Sequence, residues 1–179
     1  SSDLTFTWEP TRVWSTGVAP RDEARSATAR HVDMDEVASR GFTHGRSFSR
    51  EEIWDNYAWF IHRILPEAEA AGVQLALHPN DPPAPVYGGI PSLIHRAEDF
   101  RQAFETAGRH PCLGMEFCTG CWLEGGAAFG NILDNLREFV EARRVRIVHF
   151  RNVSAPMPRF TETFLDNGYM DMYQIMRAL

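Results

Sequence analysis

The 179 residues are 44% hydrophobic and 12% aromatic, enough for one sizeable core, and a formal charge of -6 without a long basic run argues against nucleic acid as a partner. No apolar stretch approaches membrane-spanning length and no secretory pattern opens the chain, so no membrane partner is expected. Cys112, Cys118 and Cys121 are too few for a disulfide framework, which makes a reducing cytoplasm the default location.

Leu4, Phe6 and Trp8 alternate with threonines and predict a strand over 4–8, ended by Pro10. From Thr11 to Phe48 the pattern breaks up into one long excursion, with a helical turn near Asp35 to Ser39. Ser49-Arg50-Glu51-Glu52 is a capping box, and Ile53, Tyr57, Phe60, Ile61 and Ile64 then keep helical spacing. Pro66 is expected to kink or split this helix, and Gly72 to stop it. A strand follows over 73–77, then proline and glycine punctuation around Tyr87, a helix over 96–107 closed by Gly108, and a strand over 113–117. After a loop from Cys118 to Gly130, Asn131 opens a helix that puts Ile132, Leu133, Leu136, Phe139 and Val140 on one face. A strand over 145–150, a loop holding Pro156 and Pro158, and a last helical pattern from Met170 complete the chain.

Strand and helix thus alternate without a hairpin signal, as parallel βα units do. The expected class is α/β, and four such units are about half of a (β/α)₈ barrel, whose usual length is about 250 residues. The whole of 1–179 is read as one domain, the central part of such a barrel, with 11–48 lying over the site. The chain starts with Ser-Ser-Asp and stops inside an amphipathic pattern, so it reads as a piece of something longer.

In parallel α/β folds the carboxyl ends of the strands face the ligand, and Trp8-Glu9, His78, Cys118 and His149 all fall there. Imidazole and thiolate together suit borderline divalent ions, so His78, Cys118 and His149 are the candidate metal ligands. Cys118 taken alone could equally be a small buried hydrophobe. Cys118 and Cys121 also form C-x-x-C, which could suggest a redox pair or a structural zinc site, but no second such pair completes a zinc site, and Cys112 and Cys121 read as structural or incidental. His31, His62, His95 and His110 read as surface or loop histidines, whereas His44, in the excursion, is a candidate substrate contact. Arg151 and Asn152 follow His149 directly, and an arginine fork matches a carboxylate, although Arg151 could instead pair with a neighbouring acid. Glu9, Arg12, Asp81 and Glu116 are weaker candidates, Glu116 as a group supporting a ligand.

His78-Pro79-Asn80-Asp81-Pro82-Pro83, Phe117-Cys118-Thr119-Gly120, His149-Phe150-Arg151-Asn152-Val153 and Asp166-Asn167-Gly168-Tyr169-Met170-Asp171-Met172 occur in an order and spacing that resembles the mannonate dehydratases of the xylose-isomerase-like TIM-barrel group. The Trp8 to Gly17 segment looks similar too. The resemblance implies a hydro-lyase that dehydrates D-mannonate to 2-keto-3-deoxy-D-gluconate in hexuronate catabolism. It implies Mn²⁺, Fe²⁺ or a similar divalent ion on His78, Cys118 and His149, and a homo-oligomer acting on a small sugar acid. Arg151, Asn152, Asp81, Arg12 and His44 are the substrate-binding candidates under it. Asn80 departs from the family's usual Asp. A segment resembling Arg-Pro-Asp-His-Gly, which carries a fourth ligand and a catalytic histidine, is not found in the 179 residues, so the acid and base are expected beyond Leu179. A sugar isomerase or epimerase of the same superfamily, or a catalytically incomplete metal-binding fragment, would share these features.

Overall fold

The computed structural model describes residues 15–22 and 27–179. The strand expected over 4–8, and with it Glu9 and Arg12, lies outside the described residues.

Three parallel strands carry the plan. β3 (Leu75–Leu77), β6 (Leu113–Cys118) and β7 (Val145–His149) form a sheet in that order. Both pairings are parallel, with Leu77 opposite Met115 and Cys118 opposite His149. The apolar run of β6 is buried on both faces, as a central parallel strand requires. β7, at one edge of this sheet, leaves Ile147 49% exposed.

α2 (Arg50–Ala70) precedes β3, α3 (Ala97–Thr106) precedes β6, and α5 (Ile132–Glu141) precedes β7. α2 starts at the expected capping box, since Ser49 accepts from the Glu52 amide and the Glu52 side chain accepts from the Ser49 amide. Its apolar stripe, Trp54, Tyr57, Ile61, Leu65 and Ala68, is buried. The helix runs through Pro66 unbroken, against expectation. Pro66 and His62 both face solvent, so water can satisfy the carbonyl left without its donor while the buried stripe holds the helix together. Gly72 ends it with φ of 65°, where a side chain would be strained.

Between β6 and α5 the expected loop is instead α4 (Thr119–Gly125) followed by a 3₁₀ turn over Gly126–Ala128. Three glycines, Gly120, Gly125 and Gly126, weaken the helical signal there, and tertiary burial overrides it. Trp122 explains why. Fully buried, it stacks on Phe117 with ring centroids 4.1 Å apart, on Phe129 at 4.3 Å and on Phe100 at 5.6 Å, so α4 is the lid of an aromatic core completed by Phe104 and Phe139.

The larger correction concerns the excursion over 11–48 and the loop after 150. β1 (Gly17–Asp22) and β2 (Ala27–Asp33) pair antiparallel, and α1 (Met34–Ser39) supplies the expected turn of helix. β2 pairs in turn with β9 (Arg159–Thr163), which pairs with β8 (Asn152–Val153). A four-stranded antiparallel sheet therefore exists where no hairpin was read, because β2 and β9 are joined by pairing across more than a hundred residues and neither carries a long alternating pattern. A short hairpin of β4 (Val86–Tyr87) and β5 (Ile90–Pro91) and the terminal α6 (Met172–Ala178) complete the described elements. No helix among the described residues is long and apolar enough to cross a membrane.

Candidate metal centre

The parallel sheet delivers its three strand ends to one place. His78 follows β3, Cys118 ends β6 and His149 ends β7, and one ligand atom from each lies within 4.8 Å of the others. The loop carrying His78 is pinned because the Asn80 amide donates to Ile94 O at 2.8 Å and Asn80 Oδ1 accepts from the Ile94 amide at 3.0 Å. Asn80, the departure from the family pattern, is thus a loop clasp here. The end of β7 is fixed through Thr119, whose hydroxyl lies 3.0 Å from His149 O and 2.8 Å from Arg151 O and accepts from the Arg151 amide at 2.8 Å.

The two histidines are oriented from behind. His78 Nδ1 lies 2.6 Å from Pro79 O, and His149 Nε2 lies 2.5 Å from a Glu116 oxygen. Each contact requires the proton on the nitrogen it engages, leaving His78 Nε2 and His149 Nδ1 as the nitrogens available to a metal, as metal-ligating histidines are held. The Cys118 thiol is pulled well below its ordinary value by hydrogen bonding from Cys121, against burial and with help from His149, His78 and the charge of Arg151. For His78, burial works downward, but contact with Cys118 and the charges of Cys118, Asp81 and Glu116 leave the imidazole net raised. Contact with Cys118 also raises His149, opposed by burial and helped by Glu116. The set therefore shares its protons around a thiolate, and a divalent ion could replace them, which is the linkage expected of imidazole and thiolate ligands.

Beside this cluster lies a half-buried charge network, of which the sequence reading gave only that Arg151 could pair with a neighbouring acid. Arg151 reaches Asp81 at 3.0 Å, Glu124 at 2.5 Å and Glu162 at 2.6 Å. Arg30, from β2, reaches Asp81 at 2.5 Å, Glu162 at 3.3 Å and Glu124 at 3.4 Å. Despite its burial, Asp81 is held far below the usual carboxylate range by Arg151 and Arg30. Glu124, completely buried, is pushed well above it by burial and by Asp81, which outweigh the two arginines. Arg151 lies directly over the Cα of Gly120, where a methyl would overlap the guanidinium. Arg30 and Glu162 come from the antiparallel sheet, so no local pattern marks them. Cys121 and Glu124 had a signal, since the spacing Cys118-x-x-Cys121-x-x-Glu124 puts three polar groups on one helix face.

The other candidates separate. Arg151 and Asp81 stand next to the cluster, but each is engaged by the network above. The Asn152 amide is wholly buried and donates to Leu165 O at 3.0 Å and Met170 O at 2.8 Å, so its capacity holds the 165–170 loop and is not offered to a ligand. His44 is exposed, 3.0 Å from Thr43 Oγ1 and edge-on to Phe48, contacts within its own loop. His31 is not a loop residue but sits in β2, 2.9 Å from Thr161 Oγ1.

A family model described as D-mannonate dehydratase (UxuA) matches residues 28–179. The mannonate dehydratase of Lactococcus lactis subsp. lactis is 29% identical over 140 residues, covering 75% of this chain and 38% of that protein. That of Streptococcus agalactiae serotype Ia is 32% identical over 133 residues, covering 71% of this chain and 36% of that protein. The crystal structure of mannonate dehydratase from Streptococcus suis serotype 2 superposes with a TM-score of 0.73 at 27% identity, over 86% of this chain and 45% of that one. The chain therefore spans less than half the length of these relatives. With a family match over most of its length, and relatives named as dehydratases where an isomerase was the alternative, the chain belongs to the D-mannonate dehydratase family.

Proposed function

We propose that this chain carries the metal-holding part of an enzyme that dehydrates D-mannonate to 2-keto-3-deoxy-D-gluconate, with His78, Cys118 and His149 as ligands of Mn²⁺ or a similar divalent ion. One observation carries the reading: three donors from successive parallel strands converge within 4.8 Å, each histidine with its remote nitrogen already engaged, by Pro79 O and by Glu116. A bound divalent ion supplies Lewis acidity toward the oxygens of a hydroxy acid. The three parallel βα units are read as part of a (β/α)₈ barrel, with the ligands at the carboxyl ends of its strands. Three free, buried cysteines fit a reducing cytoplasm.

Asp81 and Arg151 are assigned a supporting role. Arg151 is a fixed positive charge beside Cys118, held by Asp81, Glu124 and Glu162, and it favours the thiolate that a metal needs. A substrate carboxylate would have to displace one of those acids to be gripped by the Arg151 fork, so direct recognition falls to other groups.

Metal titration of the chain tests this. We expect one Mn²⁺ per chain, binding lost in Cys118→Ala and in His78→Ala, and the 2-keto-3-deoxy acid as the product when D-mannonate is dehydrated by a chain containing this segment. Undiminished metal binding by Cys118→Ala would overturn the ligand assignment.

A further inference from the structure

Cys121 takes no part in the proposed ligand set, yet it is buried in the same helix start as the cysteine that does. Cys118 is the N-cap of α4 and Cys121 stands three residues on, in the first turn. Cα atoms so placed are about 5 Å apart, within the span of roughly 4.4–6.8 Å that a disulfide bridges. Both sulfurs are free and buried, and Arg151 Nη2 lies 3.8 Å from Cys121 Sγ, a cation beside the second sulfur. Cys112 is no competitor, because the six residues of β6 put it roughly 20 Å from Cys118 along the strand. A second metal site is not the better reading of Cys121 with Asp81 and Glu124, although these three also lie within 4.8 Å of one another. The guanidinium groups of Arg30 and Arg151 already take both Asp81 oxygens and Glu124 Oε1, and their two positive charges would repel a cation brought to the remaining Glu124 Oε2.

We propose that Cys118 and Cys121 form a reversible disulfide, and that this disulfide and a metal ion compete for the Cys118 sulfur. The competition rests on the ligand assignment above; the capacity to form the bond does not. Hydrogen peroxide is the oxidant. The Cys118 thiolate attacks one peroxide oxygen, the O–O bond breaks, and the departing oxygen leaves as water with the proton Cys118 had released. The Cys121 sulfur then attacks Cys118 of the resulting sulfenic acid, the S–O bond breaks, and hydroxide leaves with the Cys121 proton as a second water. Two thiols and one peroxide give one disulfide and two waters. Cys118 is buried, and the side chain of His149, its partner across β6 and β7, is 57% exposed. A bound ion would hold the Cys118 sulfur and block the first step; the disulfide would remove a ligand and block the ion.

The experiment treats the 179-residue chain with stoichiometric hydrogen peroxide, metal-free and after loading with Co²⁺, and follows intact mass, peptide maps and the thiolate-to-cobalt charge-transfer band. The metal-free chain should lose two hydrogens, show a Cys118–Cys121 cross-link, keep Cys112 alkylatable, and lose Co²⁺ binding until dithiothreitol restores it. Loading with Co²⁺ should slow the cross-link by at least about tenfold. Cys121→Ser should gain oxygen at Cys118 where the native chain loses hydrogen. Oxygen gain at Cys118 in the native chain, or a cross-link through Cys112, overturns the proposal. A cross-link that forms equally fast with Co²⁺ present, in a chain without the charge-transfer band, overturns the competition and the ligand assignment while the disulfide itself stands.

Discussion

Glu116 and His149 meet across adjacent parallel strands, a carboxylate oxygen 2.5 Å from Nε2, so the acid fixes both the tautomer and the tilt of the imidazole. Glu116→Gln keeps the shape and removes the charge. We expect metal affinity to fall about 10- to 100-fold, the usual effect of losing a carboxylate behind a ligating histidine, with stability little changed. Chelator competition measures the first and urea unfolding the second. An affinity within twofold of the native chain would show that Glu116 does not orient His149.

Gly120 is the second point of leverage. A methyl there would overlap Arg151 and push it off Asp81, Glu124 and Glu162. Gly120→Ala should destabilise by about 1–3 kcal/mol through overpacking, and should weaken metal binding as well, because the cation that favours the Cys118 thiolate has moved. Denaturant midpoint and Co²⁺ titration read the two effects separately. Arg151→Lys would not substitute, since one ammonium cannot span three carboxylates as a guanidinium does.

These two residues also mark what a sequence can disclose. His78, Cys118 and His149 could be placed together because strand, helix and strand repeat at βα spacing, and parallel strands bring equivalent ends to one side. Glu116 followed as their neighbour. Arg30 and Glu162 could not be placed, because their link to Asp81 runs through a sheet pairing β2 with β9 that no local periodicity encodes. Helix α4 was missed for a related reason, since its glycines argue for a loop and only the burial of Trp122 argues otherwise.

Trp122 should therefore be the most costly single truncation. Trp122→Ala removes a fully buried ring that contacts Phe117, Phe129 and Phe100, and about 3–5 kcal/mol of stability should go with it. Calorimetric unfolding measures the loss. A cost below about 1 kcal/mol would mean that α4 is not seated on the aromatic core.

Acid sensitivity tests a site away from the metal ligands. Asp99 is almost fully buried at the start of α3, accepting from Arg50 Nη2 at 2.7 Å, from Arg96 Nε at 3.2 Å and from the His95 amide at 3.0 Å. Burial alone would raise its carboxyl, but contact with the His95 side chain and the hydrogen bond from the His95 amide, with the charges of His95 and Arg50, leave it below the ordinary carboxylate value. A carboxyl depressed in the folded state contributes its full stabilisation above the unfolded-state value and loses it as pH falls through the folded one. Stability should thus decline below about pH 4, and Asp99→Asn should flatten that part of the curve. At neutral pH the variant should be less stable by about 1–3 kcal/mol, below the figure for a wholly buried pair because Arg50 and Arg96 keep access to water. Urea unfolding of both proteins between pH 2.5 and 7 measures the difference. If the two curves stay parallel below pH 4, Asp99 is not the titrating group.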